Sequence, residues 1–294
     1  MAKFLQEELD TYFYWIHERE SIRINKEVLD HPPPWTDDEI LQKYKFCQVF
    51  REDDRTTRWF REHIREPLKD STDVFMATVI FRWFNYIESG RTLIKHDLLC
   101  NWDRKKAIEE ISKQDKWVTG AYIIKTPNRM NKVTGVAECV SHMWKDKNYL
   151  IDKMKSTPSL EEIWNILRDY PYMGPFMAYE VVTDLRHTYI GYGCDDILTW
   201  ANPGPGAMRG LNRLTGRELG FCKRSHPWNE EMQELLKIAF ERLNNNIIDL
   251  DKFEMREVEG GLCEFDKYSR TVKKQGTTRS IYRHNKDLPL VEGL

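Results

Sequence analysis

The sequence predicts a mainly α protein. Apolar residues recur at helical spacing along most of the chain, two capping boxes open apolar runs, and hints of strand are confined to two short segments. The 294 residues suffice for one large domain or two small ones with an ample core, and 40% hydrophobic with 31% charged residues is ordinary for a globular chain.

Residues 3–20 read as an amphipathic helix, with Phe4, Leu5, Leu9, Tyr12, Phe13 and Ile16 on one face. The prolines of HPPPW interrupt the chain. Thr36 and Glu39 form a capping box before ILQKYKFCQVF, and DDRTTRWFREHIREPL is a further helix that stops near Pro67. STDVFMATVIFRWFNYI reads as a buried helix despite its β-branched residues. Ser159 and Glu162 make the second capping box, before IWNILRDY. PFMAYEVVTDL is helical after Gly174, and NEEMQELLKIAFERLNNN closes the helical part. Only GAYIIKT and the segment after Gly260 hint at strand. The organisation expected is a helical body over 1–257 with a basic C-terminal segment, 258–294, packing on it as an appendage.

Composition excludes several classes. No apolar run approaches the roughly 20 residues of a membrane span. The start, MAKFLQEELD, carries acids early and lacks an apolar signal core, which argues for a cytoplasmic protein. The six cysteines are scattered without a CxxC pair, so neither a zinc site nor an iron–sulfur cluster is expected. A net charge of −2 requires that any DNA contact come from local clusters of cations.

Several segments stand out from core packing. In YPYMGPFMAYEVVTDL a helix ends near Tyr170, turns through Met173 and Gly174, and restarts; such a turn can hold a DNA phosphate on its backbone N–H groups. Between Asp195 and Gly216, DDILTWANPGPGAMRGLNRLTG joins two acids, a tryptophan, a Pro-Gly turn and two arginines. In FREDDRTTRWFREHIRE, Arg51, Arg55 and Arg58 share one helical face, either as a solvated salt-bridged stripe or as a phosphate contact held by Asp53 or Asp54. CEFDKYSRTVKKQGTTRSIYR adds a second cationic element; from Lys267 to Lys286 there are seven Lys/Arg and no Asp/Glu. Its Arg270, Lys273, Lys274, Arg279 and Arg283 can neutralise phosphates, and Tyr268 and Tyr282 can stack on bases.

The hairpin and the chain just beyond it resemble helix-hairpin-helix DNA glycosylases, in which a catalytic Asp opening another helix lies some twenty residues after the hairpin. Asp195 and Asp196 fall 21 and 22 residues after Gly174, and RGLNRLTG resembles the helix beyond that Asp. Tyr172 stands where the hairpin's first glycine is usual, and no lysine nucleophile opens the second helix. The resemblance implies a glycosylase-like helical fold without dictating its chemistry.

FCQVFREDDRTTRW, DILTWANPGPGAMRGLNRLTG and CEFDKYSRTVKKQGTTRSIYR together resemble the α-glutamyl/putrescinyl thymine pyrophosphorylase family, which also occurs as the helical domain of phage 5-hydroxymethyluracil DNA kinases. Stand-alone members are similar to amino acid:DNA transferases, which attach an amino acid such as glycine or serine to 5-phosphomethyl-deoxyuridine. No G-x-x-x-x-G-K-S/T motif is present in this chain, so the resemblance implies a transferase acting after a separate kinase. The implied setting is the cytoplasm of an infected bacterium. The implied substrates are double-stranded DNA carrying a modified, flipped-out thymine and a free amino acid, with no other cofactor and no metal.

That chemistry assigns roles. Asp196 is the first candidate to deprotonate the amine and Asp195 the second. Asn202 reads the uracil edge, Trp200 stacks on the base or fills the core, and Gly204 and Gly206 bring backbone close to base or phosphate. Arg209 grips an anion, Arg213 contacts DNA on the same helix, and Glu264, Asp266 and Lys267 complete the pocket. A base-excising glycosylase and a non-catalytic DNA-binding module are the alternatives.

Overall fold

The computed structural model describes residues 3–119, 124–243, 246–276, 278 and 280–282. Among them the chain forms α1 (Gln6–Arg23), α2 (Glu39–Lys43), α3 (Arg55–Phe60), α4 (Glu66–Leu68), α5 (Asp73–Phe84), α6 (Ile87–Lys95), α7 (Arg104–Ile111), α8 (Lys132–Lys145), α9 (Lys147–Lys155), α10 (Leu160–Arg168), α11 (Pro175–Leu185), α12 (Pro205–Thr215), α13 (Trp228–Arg242) and α14 (Met255–Val272). The described residues contain no strand, only an isolated antiparallel bridge between Tyr44 and Ile281. The mainly α class is as the periodicity predicts. Most of GAYIIKT lies outside the described residues. No helix of the described residues is long and apolar enough to cross a membrane.

The chain divides into two compact units: unit 1 is Met1–Asp54 with Ile197–Leu294, and unit 2 is Arg55–Asp196. The boundary expected at 257/258 falls inside α14, so residues 258–272 continue a helix of unit 1.

In unit 1, α12 lies along α14, and α1, α2 and α13 also pack on α14. Glycines set the close approach of α12. A Cβ on Gly210 would stand 2.4 Å from the Leu262 carbonyl oxygen, and one on Gly206 would stand 2.4 Å from Cys263 Sγ. The segment after Gly260 is helical, contrary to the expectation of strand. Glu254 and Glu257 cap α14, and Val258, Leu262, Phe265 and Ser269 line its buried face at helical spacing. Gly261 is there for proximity, since its Cβ would meet Tyr12 Oη at 3.0 Å.

The N-terminal part of unit 1 corrects another expectation. Asp38, not Thr36, caps α2, accepting from the Ile40 and Leu41 amides, while Thr36 Oγ1 accepts from the Asp38 amide. The helix ends at Lys43 because the backbone beyond it finds tertiary partners: the Cys47 amide donates to Glu264 Oε2 at 3.0 Å.

Unit 2 is built around α5, buried along nearly its whole length as its apolar run predicts. Helix α5 packs on α8 and α11. Its Arg82 is 1% exposed and pairs with Asp184 of α11, and it also donates to Asn85 and Thr57. Ser159 caps α10 as predicted, and α10 pairs with α11 through the turn before Gly174. Tyr172 takes the left-handed conformation there, with φ 64°, a geometry that costs a non-glycine residue about 1–2 kcal/mol. Gly174 itself has an ordinary φ of −67°, and a Cβ on it would meet nothing within 4 Å.

Candidate functional site

The three segments that carry the family resemblance include residues that meet on one helix. Cys47 from the first, with Lys45 just before it, the Gly204–Arg213 stretch from the second, and α14 from the third all lie in unit 1. Helix α14 presents Glu259, Cys263, Glu264, Asp266 and Lys267 to them.

Asp266 is the central acid. It is 1% exposed, and its two oxygens accept from Arg209 Nε and Arg213 Nε at 2.8 Å each. The two arginines differ in what is left over. Arg213 is buried, and its Nη1 donates to Gln275 at 2.7 Å, so it does not face DNA as expected. The Arg209 side chain is 40% exposed, and its Nη1 and Nη2 make no hydrogen bond among the described residues. A guanidinium fixed at Nε with both ends open is a pre-oriented fork for a phosphate or carboxylate.

The turn before α12 plays a different part from the one expected. The Gly204 amide donates to Glu259 Oε1 at 3.3 Å, and Arg256 holds the other oxygen at 2.8 Å, so this amide is engaged within the protein. Gly206 serves the approach of Cys263 rather than of a base. Trp200 is buried, which is the core alternative, and Asn202 is half-buried on the same turn.

Beside this clamp lies a cluster of polar groups. Cys47 and Cys263 both reach solvent, yet dense protein surrounds each thiol. Burial, with Glu259 and Glu264 adding, pushes the Cys263 thiol up to about 12. The Glu264 carboxylate, aided by burial and Asp54, raises the Cys47 thiol well above its usual range. Both cysteines are therefore protonated at neutral pH. Burial likewise raises the Asp54 carboxyl, against the pull of the Gln48 amide, Arg51 and Arg19. Lys267 Nζ donates to Glu264 Oε2 at 3.0 Å and to the Lys45 carbonyl at 2.5 Å. Sequence reading missed Arg19, Cys47, Glu259 and Cys263 as site residues, because they have partners far away along the chain, and it gave Asp54 only the role of holding arginines. The Cys-Gln pair beside FREDD was the available signal.

Unit 2 holds the two adjacent acids. Asp196 does stand at a helix N-terminus, but the helix is α10, not α12. Its carboxylate accepts from Ser159 Oγ at 2.8 Å, the Leu160 amide at 2.7 Å and the Glu161 amide at 3.0 Å. Those donors engage it in capping, and the next helix along the chain begins only at Pro205. Asp195 is exposed, and its carboxylate has no hydrogen bond among the described residues.

The cationic segments are partly absorbed by structure. Arg51 is buried in a 3-10 turn, Asp54 is extended, and α3 starts only at Arg55, so no continuous helix carries Arg51, Arg55 and Arg58 on one face. Arg55 is exposed and Arg58 half-buried. Tyr268 is buried, with its hydroxyl donating to Asp38 at 2.6 Å, so it is a core residue rather than a base-stacking one. Lys273 pairs with Glu8, Arg270 is half-buried, and Lys274 is exposed. Tyr282 packs edge-on to Trp35, with Lys26 over both rings. Arg279 and Arg283 lie outside the described residues.

Comparison with known proteins fits this picture. A protein 25% identical, over 88% of this chain and 44% of its own length, is the 5-hmdU DNA kinase of Bacillus phage SP10. The chain thus spans under half the length of that curated relative. No solved structure matches. The family described as "5-hmdU DNA kinase, helical domain" matches residues 6–278, which takes in α1, the Asp266 clamp and all but the last part of the basic segment, and the chain belongs to that family.

Proposed function

We propose that the chain is a transferase of thymine modification in phage DNA, attaching an amino acid such as glycine or serine to 5-phosphomethyl-deoxyuridine with loss of phosphate. The observation that carries this reading is Arg209, fixed by the buried Asp266 with its outer nitrogens open. An anion-binding guanidinium that is positioned before the ligand arrives suits a phosphate leaving group, whose departure it stabilises. Family membership relates the chain to a 5-hmdU DNA kinase, and in this reading a kinase supplies the phosphorylated base.

In the reaction the amine nitrogen bonds to the exocyclic CH₂, the carbon–oxygen bond to phosphate breaks, and phosphate leaves with the electron pair. The ammonium must first lose a proton. Asp196 is engaged by its helix, so a carboxylate of the unit 1 cluster accepts it. The modified base is flipped out of the duplex for this chemistry, and exposed Arg55 and Lys274, with the turn at Gly174, contact phosphates. The setting is the cytoplasm of the infected host.

The test is direct. Duplex DNA carrying phosphomethyl-uracil is incubated with the protein and free amino acids, then digested to nucleosides for mass spectrometry. An amino-acid adduct is expected. An abasic site would mean a glycosylase, and unchanged nucleoside a DNA-binding domain; either result overturns the proposal.

A further inference from the structure

The polar cluster at Cys47 includes two buried polar atoms without a partner: Arg19 Nη1, a donor, and Gln48 Oε1, an acceptor. They belong to one cluster. Arg19 Nε donates to the Cys47 carbonyl at 3.0 Å, and the Gln48 amide donates to Asp54 Oδ1 at 3.2 Å. Two carboxylate oxygens are also open. Asp54 accepts at Oδ1 and Glu264 at Oε2, which leaves Asp54 Oδ2 and Glu264 Oε1 without a hydrogen bond among the described residues. Buried polar groups in native proteins are almost always satisfied, so an unmatched donor beside unmatched acceptors calls for a ligand carrying both functions. The exposed Cys47 thiol marks where the cluster reaches solvent.

We infer that this cluster binds a small zwitterion with a primary amine, its carboxylate accepting from Arg19 Nη1 and its ammonium donating to Gln48 Oε1 and the open oxygens of Asp54 and Glu264. A diamine would leave Arg19 unmatched, and a simple carboxylate would leave the three acceptors unmatched. The inference rests on the transfer reading for the fate of the ligand: Asp54 Oδ2 takes a proton from the ammonium as that N–H bond breaks, and the freed lone pair attacks the CH₂ carbon. Burial raises the Asp54 carboxyl, which makes its carboxylate form a stronger proton acceptor. After attack the nitrogen sheds its remaining excess proton to water.

Alkylation of Cys47 reports occupancy without turnover. The full chain is treated with excess iodoacetamide in mildly alkaline buffer for long enough to label Cys47 despite its raised thiol, and each cysteine is followed by mass spectrometry, with exposed Cys222 as the internal reference. Glycine or serine should slow alkylation of Cys47 several-fold and leave Cys222 unchanged. Acetate and putrescine, each half of the required chemistry, should protect less. Arg19→Met should abolish the protection, and Glu264→Gln should weaken it; were the first variant unfolded, the wild-type ligand series and the second variant decide. Absence of protection by either amino acid at the highest soluble concentration, with and without duplex DNA, overturns the inference, as does equal protection by acetate or putrescine. Protection without a DNA adduct would leave the subsite standing and remove the transfer reading, and an adduct without protection would do the reverse.

Discussion

Arg82 in unit 2 and Arg209 in unit 1 are each held by a buried aspartate, and they differ in what remains of the guanidinium. Arg82 gives Nε and Nη2 to Asp184, Nη1 to Asn85 and Nη2 again to Thr57, and it lies 4.9 Å from the Phe60 ring centre. Nothing of it is left to offer a ligand. Arg209 gives only Nε to Asp266, and its outer nitrogens face solvent. The same ion pair is thus structural where its hydrogen bonds are complete and available for binding where they stop short. Completeness of the network, rather than the presence of charge, separates the two roles.

The largest expected effect tests the closed member of the pair. Asp184→Ala leaves the buried Arg82 charge without its carboxylate, which should cost about 3–5 kcal/mol of stability, read by urea unfolding. A loss under about 1 kcal/mol would mean that water replaces the carboxylate. The open member should behave oppositely. Arg209→Ala should weaken binding of duplex with a phosphorylated base by about 1.5–3 kcal/mol relative to plain duplex, with a smaller loss of stability than Asp184→Ala because Arg213 still neutralises Asp266. Equal loss for both duplexes would make Arg209 a general backbone contact.

Gly210→Ala tests whether the open site depends on the approach of its two helices. With 2.4 Å between the new Cβ and the Leu262 carbonyl, α12 must shift, at a cost of about 1–3 kcal/mol and with loss of the Arg209 geometry. Retained stability and affinity together would show that the helices tolerate separation. Asp196→Ala is the capping control, expected to cost about 1 kcal/mol with activity kept in the folded fraction. Lost activity at full stability would return Asp196 to the chemistry.

The smallest effect is in Asp54. Its carboxyl is raised in the folded protein, so the folded state holds the proton more tightly than the unfolded chain does. The stability this contributes is complete below the ordinary carboxylate range and is lost as pH rises through the folded value. Asp54→Asn should therefore gain in melting temperature relative to wild type as pH rises through and above that range, and match it more closely in acid. A gap that shrinks with rising pH would contradict the raised carboxyl.

Helix α5 was legible because its apolar run leaves no polar face, and α10 because Ser159 and Glu162 stand where a cap needs them. The break after Lys43 was not, since the residues beyond it keep an apolar pattern and only the distant Glu264 draws the Cys47 amide out of a helix. Helix α14 was obscured by two central glycines, of which Gly261 admits Tyr12. Of the candidate site, Arg209 and Asp266 were legible as types, but their pairing was not, and the Arg51–Arg55–Arg58 stripe failed because local periodicity cannot reveal that Asp54 is extended. Adjacent acids drew attention to Asp196, yet the α10 backbone amides that bind it belong to a helix more than thirty residues earlier in the chain.

The make-up of unit 1 also orders events during synthesis. Unit 2 is one continuous stretch and can complete its contacts as soon as it leaves the ribosome, whereas unit 1 needs both Met1–Asp54 and Ile197–Leu294. Cys47 and the glutamate that receives its amide are 217 residues apart, which at common elongation rates is a wait of roughly ten to forty seconds. Through that interval Trp15, Ile16 and Phe50, which are buried in the finished protein, have no α14 to pack against. Residues 1–54 are thus exposed to aggregation and to chaperone capture until α14 is made, and the contact of Cys47 with Glu264 is among the last to form.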